Sequence, residues 1–253
     1  KAPTASRALH LVDCKAMSQL PRFHCPAALH LGDELDLPAG TARHVQVRRM
    51  QPGDEITLFS GDGGECVAVI TRMGRSDVEV TLGAHRPDER ETGRAVQLAL
   101  GMPANERMDW LVEKATELGA VSITPVTAER SVLKLKGERA EKKLAHWQGV
   151  AVAAAEQCGR NRVTRIDEAQ SLAAWLAQHP AGTGVRLVLS LSPGTQPLRT
   201  AVQGHTDVTL LSGPEGGLSD GEIHAAQQAG FQPWQLGPRV LRTETAPVAA
   251  LSV

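Results

Sequence analysis

Apolar and polar positions alternate with a period of two in three short stretches early in the chain, Glu55–Phe59, Glu65–Ile70 and Asp77–Leu82. That period puts successive side chains on opposite faces of a strand. The glycine-bearing segments Gly61–Gly64 and Met73–Ser76 separate the three. Short strands joined by such turns predict a small β barrel or sandwich. His85–Arg94 then carries almost no apolar side chain and includes Pro87 and Gly93. A polar stretch of this kind reads as a domain boundary.

Beyond the boundary the period changes. Ala95–Leu100 predicts a strand, and Met108, Leu111, Val112, Ala115 and Leu118 then recur at helical spacing. Gly119 can supply the left-handed backbone that ends that helix. Val121–Val126 returns to strand character, which makes a β-α-β unit with a right-handed crossover expected. A long helix is predicted over Glu138–Cys158, and Ser171 is placed to N-cap a short one. Arg186–Leu191 and Asp207–Leu211 are apolar on both faces, as in a sheet covered by helices on each side. Ser219-Asp-Gly-Glu222 is a capping box opening a helix to about Ala229. Phe231–Leu236 reads as the last strand, and the chain turns helical and alanine-rich from Thr243. The predicted fold class is α/β: a β domain over 17–84, then a parallel α/β domain over 95–253. Residues 1–16 read as a leader or appended segment, because Met17 is a plausible start.

Charge adds little globally and more locally. Twenty-seven basic and 28 acidic residues give a net charge of −1, which excludes nothing and demands no polyanionic partner. From Arg130 to Arg165, however, nine basic residues face three acidic ones. Such clustering is the expected footprint of nucleic acid, whose phosphates dominate affinity. A solvated helix face would look the same. The region from Arg22 to Arg94 gives no such signal, with nine Arg against twelve acids. No apolar run approaches the ~20 residues of a membrane helix, so no membrane partner is expected. The four cysteines form no C-x-x-C pair. Reduced thiols, a cytoplasmic location and no metal are the expectations.

Common cofactor motifs are missing: there is neither G-x-G-x-x-G nor a P-loop, and no H-E-x-x-H. Gly217-Leu-Ser-Asp-Gly221 matches the G-x-S-x-G nucleophile elbow. Only His224 follows it, on the same predicted helix, so Ser219 reads as a helix cap. Two other loops say more. Ser212-Gly-Pro-Glu-Gly-Gly217 follows one apolar strand, and Leu236-Gly-Pro-Arg-Val-Leu-Arg-Thr-Glu-Thr-Ala246 follows the next. Ligands of open α/β sheets bind beyond the carboxyl ends of strands. Glycine there permits close approach to backbone.

These two loops together resemble the RsmE family of 16S ribosomal RNA uracil-N3 methyltransferases. The resemblance extends to Glu106–Gly119, Glu129-Arg-Ser131 and Glu156-Gln-Cys-Gly-Arg160, and near the start to Arg22-Phe23 and His44–Gly53. Gly-Pro-Glu-Gly-Gly alone would indicate only the wider SPOUT superfamily. The resemblance implies an N-terminal PUA-like β-barrel and a SPOUT domain with a C-terminal trefoil knot. It also implies S-adenosylmethionine (SAM) as methyl donor, a small-subunit 16S rRNA substrate and a homodimer. Leu191, Ser212, Gly213, Pro214, Glu215, Gly216, Leu236, Gly237, Leu241, Arg242 and Thr245 are the expected cofactor cradle. Arg242 or Arg239 would stabilise charge on the uracil, and Glu244 or Glu215 would accept its N3 proton. Arg22, Lys114, Arg130, Glu156 and Arg160 match family motifs and are placed on the RNA side, with Lys142 and Lys143 from the basic run. Another SPOUT methyltransferase, acting on tRNA or a ribose hydroxyl, and a non-catalytic RNA-binding or assembly factor remain the alternatives.

Overall fold

The computed structural model describes residues 20–103, 106–179, 182, 184–191 and 195–253. The expected leader, Met17 and Cys14 lie outside the described residues. Six strands and helices build the N-terminal unit: β1 (Arg22–His24), β2 (Glu34–Asp36), α1 (Ala39–Val47), β3 (Glu55–Phe59), β4 (Glu65–Met73) and β5 (Val78–Arg86). Its sheet has the order β1-β3-β4-β5-β2. The β1–β3 pair is parallel and the other pairs are antiparallel. Two register shifts along β4 and β5 mark bulges, which bend and coil the sheet. Alternate residues Ile56, Leu58, Ala68, Ile70, Val78, Val80 and Leu82 face one core with Phe23, and Ala42 and Val45 of α1 cover it. Helix α1 escaped the sequence pattern because only Thr41, Ala42 and Val45 of its nine residues are buried. Cys25 and Cys66 are fully buried, and burial pushes the Cys25 thiol up to about 11.

The second unit runs β6 (Ala95–Gly101), α2 (Glu106–Glu117), β7 (Ala120–Thr127), α3 (Glu138–Cys158), β8 (Arg165–Ile166), β9 (Gln170–Ser171), α4 (Leu172–Gln178) and β10 (Val185–Leu189). It continues with β11 (Gln196–Pro197), α5 (Leu198–Ala201), β12 (Asp207–Ser212), α6 (Asp220–Gln228), β13 (Gln232–Gln235) and α7 (Thr245–Leu251). The strand order is β11-β13-β10-β12-β6-β7-β8, with β9 also on β7, and every pair is parallel. Leu98, Leu187 and Leu210 face a core with Leu111, Trp147 and Trp234. Their neighbours Ala99, Val188 and Leu211 face the other side, against Trp175, Leu218 and Phe231. Burial on both faces explains why these strands read as unbroken apolar runs. Gly119 takes φ +89° behind α2, as its position predicted.

Helix α7 packs on α2 and β12. Ala246, Pro247 and Ala250 are buried there, so its uncharged surface finds much of its cover within the chain itself. No helix among the described residues is long and apolar enough to cross a membrane. Nor, among those residues, do three or more His, Cys, Asp or Glu side chains gather as metal ligands.

Polar groups fasten the two units together. The Glu65 carboxylate is 3% exposed and pairs with Arg22, Arg86 (2.6 Å) and Arg90 (3.4 Å). Burial alone would raise this carboxyl, but the Arg22 hydrogen bond and the charges of Arg22, Arg90 and Arg86 win and hold it below its ordinary range. Arg22 continues across to the Arg160 carbonyl and the Asn161 side chain. Arg160 makes a two-toothed pair with Glu91, at 3.0 and 2.7 Å, and donates to the Thr116 and Ala120 carbonyls. Glu156 accepts from the His24 N–H at 2.9 Å and faces His44 Nδ1 at 3.1 Å. The stretch 85–94 is thus a boundary in sequence but part of the seam in space, through Glu89, Arg90 and Glu91.

Candidate functional site

Because β13, β10, β12 and β6 are parallel neighbours, their carboxyl ends share one edge. The order reverses between β12 and β6, where open α/β sheets form a crevice. The Ser212–Gly217 loop leaves the first of these strands at that point. Its backbone lies so close to β6 that a Cβ on Gly101 would fall 2.2 Å from the Pro214 nitrogen. A Cβ on Gly213 would fall 2.7 Å from the Leu218 nitrogen. Gly101 was not among the expected site residues, and its need for glycine appears only when two strands are set side by side.

Arg130 holds the loop from the other side. Its Nη1 donates to the Gly216 carbonyl at 3.0 Å, and a Cβ on Gly216 would meet Arg130 Cβ at 2.9 Å. The requirement for glycine at 216 is therefore set by Arg130. At Gly237, by contrast, φ is +105° and a Cβ would meet nothing within 4 Å. The capping box is formed: the Glu222 carboxylate accepts from the Ser219 N–H, and Ser219 Oγ from the Glu222 N–H. Glu222 also accepts from the Glu129 N–H at 2.8 Å, tying the Glu129-Arg-Ser131 segment to the start of α6. Ser219 is a cap, as its spacing predicted.

The second loop rises from β13. Leu236 is half-buried against the core, while Val240 is 80% exposed and Leu191, beyond β10, is 59% exposed. Arg239 and Arg242 point outward and are exposed. The Arg242 carbonyl accepts from Thr245 and Ala246 N–H, which turns the chain into α7. Glu244 is largely buried, with Oε1 3.9 Å from Arg242 and 3.8 Å from Arg107. Glu215 stands 3.9 Å from Arg107. Two buried side-chain oxygens of these loops, Ser212 Oγ and Glu244 Oε2, have no hydrogen-bond partner. Buried polar atoms normally have one; Arg22 Nε, Thr116 Oγ1 and the indole nitrogens of Trp175 and Trp234 share the lack elsewhere in the fold. Arg107, two residues into α2, links the loops and is missing from the sequence-derived set. The parallel-sheet rule could have found it, since α2 follows the carboxyl end of β6.

A model of an RNA methyltransferase domain matches residues 90–253, and one of an RNA methyltransferase PUA domain matches 37–83. Ribosomal RNA small subunit methyltransferase E of Bacillus subtilis is 34% identical over 214 residues, 82% of this chain and 84% of the relative. The chain belongs to the ribosomal RNA small subunit methyltransferase E family. A member from Neisseria gonorrhoeae, solved bound to S-adenosyl methionine, superposes with a TM-score of 0.85 at 33% identity, covering 92% of this chain and 96% of that one. A methyltransferase from Legionella pneumophila, solved with bound SAM, gives 0.86 at 35% identity over the same shares.

Within this family frame, the residues placed on the RNA side separate into three groups. Arg22, Glu156 and Arg160 lie in the interdomain seam; Arg160 is 4% exposed and fully engaged there. Their charges are spent on protein partners, so the structure gives them a fastening position instead of an open RNA-facing one. Arg130 is held against the Ser212–Gly217 loop, and Lys114 is paired with Glu113 and Glu117, which raise its ammonium above the ordinary lysine range. At the start of α3, Lys136, Glu138, Arg139, Lys142, Lys143 and His146 surround an open depression of about 660 Å³. Lys142 pairs there with the exposed Glu138, and Lys143 lies 5.9 Å over the Trp147 ring. The basic run from Arg130 to Arg165 is therefore not one surface.

Proposed function

We propose that this chain transfers a methyl group from SAM to N3 of a uridine in 16S ribosomal RNA. The observation that carries the reading is the pair of loops, Ser212–Gly217 and Leu236–Thr245, that leave the carboxyl ends of the parallel strands β12 and β13. The residues present fit SAM. Gly237 leaves backbone open to close approach, and the exposed Leu191 and Val240 offer apolar contact. Bound there, SAM would supply a methyl group activated by its sulfonium. Two relatives with this fold were solved with that molecule.

The chain's own residues meet the other requirement, a nitrogen freed of its proton. Uracil N3–H is a hydrogen-bond donor, and Glu244 Oε2 is a buried acceptor without one. Glu244 takes the N3 proton and Arg242, 71% exposed at the mouth, stabilises the charge spread over the uracil oxygens. Arg239 stands close by in sequence for the same task, and Glu215 is the second carboxylate. The basic depression at the start of α3 contacts RNA phosphates, and Arg22, Glu156 and Arg160 set the angle of the PUA-like domain.

The reading includes a cytoplasmic homodimer, with the boundary between the PUA-like and SPOUT domains at 85–94. The half-exposed Val248, Ala249 and Leu251 of α7 would supply part of the dimer contact. It also includes the trefoil passage. Strand β13 pairs outside β10, yet α7 packs back on α2 and β12, so the chain returns across β10. Mass spectrometry of small-subunit RNA from a strain lacking this protein tests the reaction. Loss of one N3-methyluridine is the expected result, and an unchanged modification profile overturns it.

A further inference from the structure

Arg130 meets the Ser212–Gly217 loop with one edge of its guanidinium. Its Nη1 donates to the Gly216 carbonyl at 3.0 Å and lies 3.5 Å from the Leu218 carbonyl. The other edge, Nε with Nη2, takes part in neither contact. Among the described residues no carboxylate pairs with Arg130, and the side chain is exposed. The backbone that carries it is nevertheless fixed. Ser131 is buried, its Oγ accepts from the Ala128 N–H at 2.9 Å, and its own N–H donates to the Ala128 carbonyl, which closes a turn. The Glu129 N–H is tied to Glu222 at the start of α6. An uncompensated positive charge is thus held against the backbone of the cofactor loop.

The chain beyond Arg130 continues in the same character. From 129 to 136 three cations, Arg130, Lys134 and Lys136, stand against one acid, Glu129. Lys134 and Lys136 are exposed, and Lys136 already lines the depression at the start of α3. This segment therefore leads from the basic depression to the Gly216 carbonyl. A guanidinium edge binds phosphate through two parallel N–H bonds, and phosphate contacts set the register of a bound nucleic acid. We propose that Arg130 is a positioning residue, which takes an RNA phosphate on its Nε–Nη2 edge while Nη1 holds the Gly216 carbonyl. RNA docking then steadies the cofactor loop, and each ligand tightens the other. The proposal rests on the reading of the loop as the SAM site and of RNA as the substrate. Lysine at 130 would keep the charge but lose the flat fork that meets two acceptors at fixed positions.

The test is equilibrium dialysis of labelled S-adenosylhomocysteine, which lacks the methyl group and is not consumed, against the full chain. It is run with and without saturating small ribosomal subunits from a strain lacking this protein, for wild type, Arg130→Ala and Arg130→Lys. Wild type should bind the probe about fivefold more tightly or better when subunits are present, and the probe should tighten subunit binding by the same factor. Arg130→Ala should bring that ratio close to unity. Arg130→Lys should keep subunit affinity within about threefold yet lose the ratio, which a merely structural role would not produce. Thermal midpoints identify the folded variants, and Arg130→Lys, which keeps the packed stem, decides the matter if Arg130→Ala fails to fold. A wild-type ratio near unity, or a ratio that survives in either variant, overturns the proposal. Failure of wild type to bind the probe, or to bind the subunits, overturns the reading on which it rests.

Discussion

Replacing Glu65 by Gln keeps the shape of the side chain and removes the charge on which three arginines converge. Arg22 is the partner that matters most, since it is 7% exposed against 44% for Arg86 and 43% for Arg90. Breaking a buried pair costs about 3–5 kcal/mol, while exposed partners add less than about 1 each. Gln can still accept a hydrogen bond, and Arg22 keeps Asn161 and the Arg160 carbonyl. The expected loss is therefore about 2–3 kcal/mol at pH 7. For a chain of this size that lowers the thermal midpoint by about 5–10 °C.

The pH dependence gives the sharper check. The Glu65 carboxyl is held below its ordinary value of 4.5 in the folded chain. Between the two values the unfolded chain binds more protons, so stability rises with pH there. The contribution is full above about pH 5 and fades as pH falls through the lowered value. Denaturant unfolding of wild type and Glu65→Gln from pH 7 to pH 3 should show the gap narrowing. Limited proteolysis in the 85–94 stretch should show faster cleavage of the variant at neutral pH. A gap under about 1 kcal/mol at pH 7, or one that persists unchanged to pH 3, would refute the electrostatic account of the seam.

Gly237→Val should weaken SAM binding at least tenfold by calorimetry, because a side chain there enters the open side of the loop at a strained φ. Unchanged affinity would place the cofactor elsewhere. Reversing charge at Arg139, Lys142 and Lys143 should weaken RNA binding and reduce its salt dependence by roughly three ions, with SAM affinity unaffected. An unaltered salt slope would make the depression a solvated face. Ser219→Ala should cost about 1 kcal/mol in urea unfolding and leave the methyl-transfer step intact. A variant that is inactive yet fully stable would contradict the capping assignment.

Local sequence determined the elements whose stabilisation is local or whose burial is complete. Strand β3, helix α3 and the box at Ser219 follow from period, cap and spacing, which are properties of neighbouring residues. The two glycine-bearing loops were legible for a related reason: Gly and Pro mark where backbone must turn at strand ends. Helix α1 and the two-residue strands β8, β9 and β11 left no such trace, since each owes its form to what it packs or pairs against. The same limit governs charge. Along the chain Arg130, Lys142 and Arg160 belong to one basic run, yet they end under a loop, on an open helix face and inside a seam. Sequence specifies that a guanidinium is present. Which carboxylate reaches it depends on residues tens of positions away, 43 for Glu65 with Arg22 and 69 for Glu91 with Arg160, and only tertiary packing brings those together.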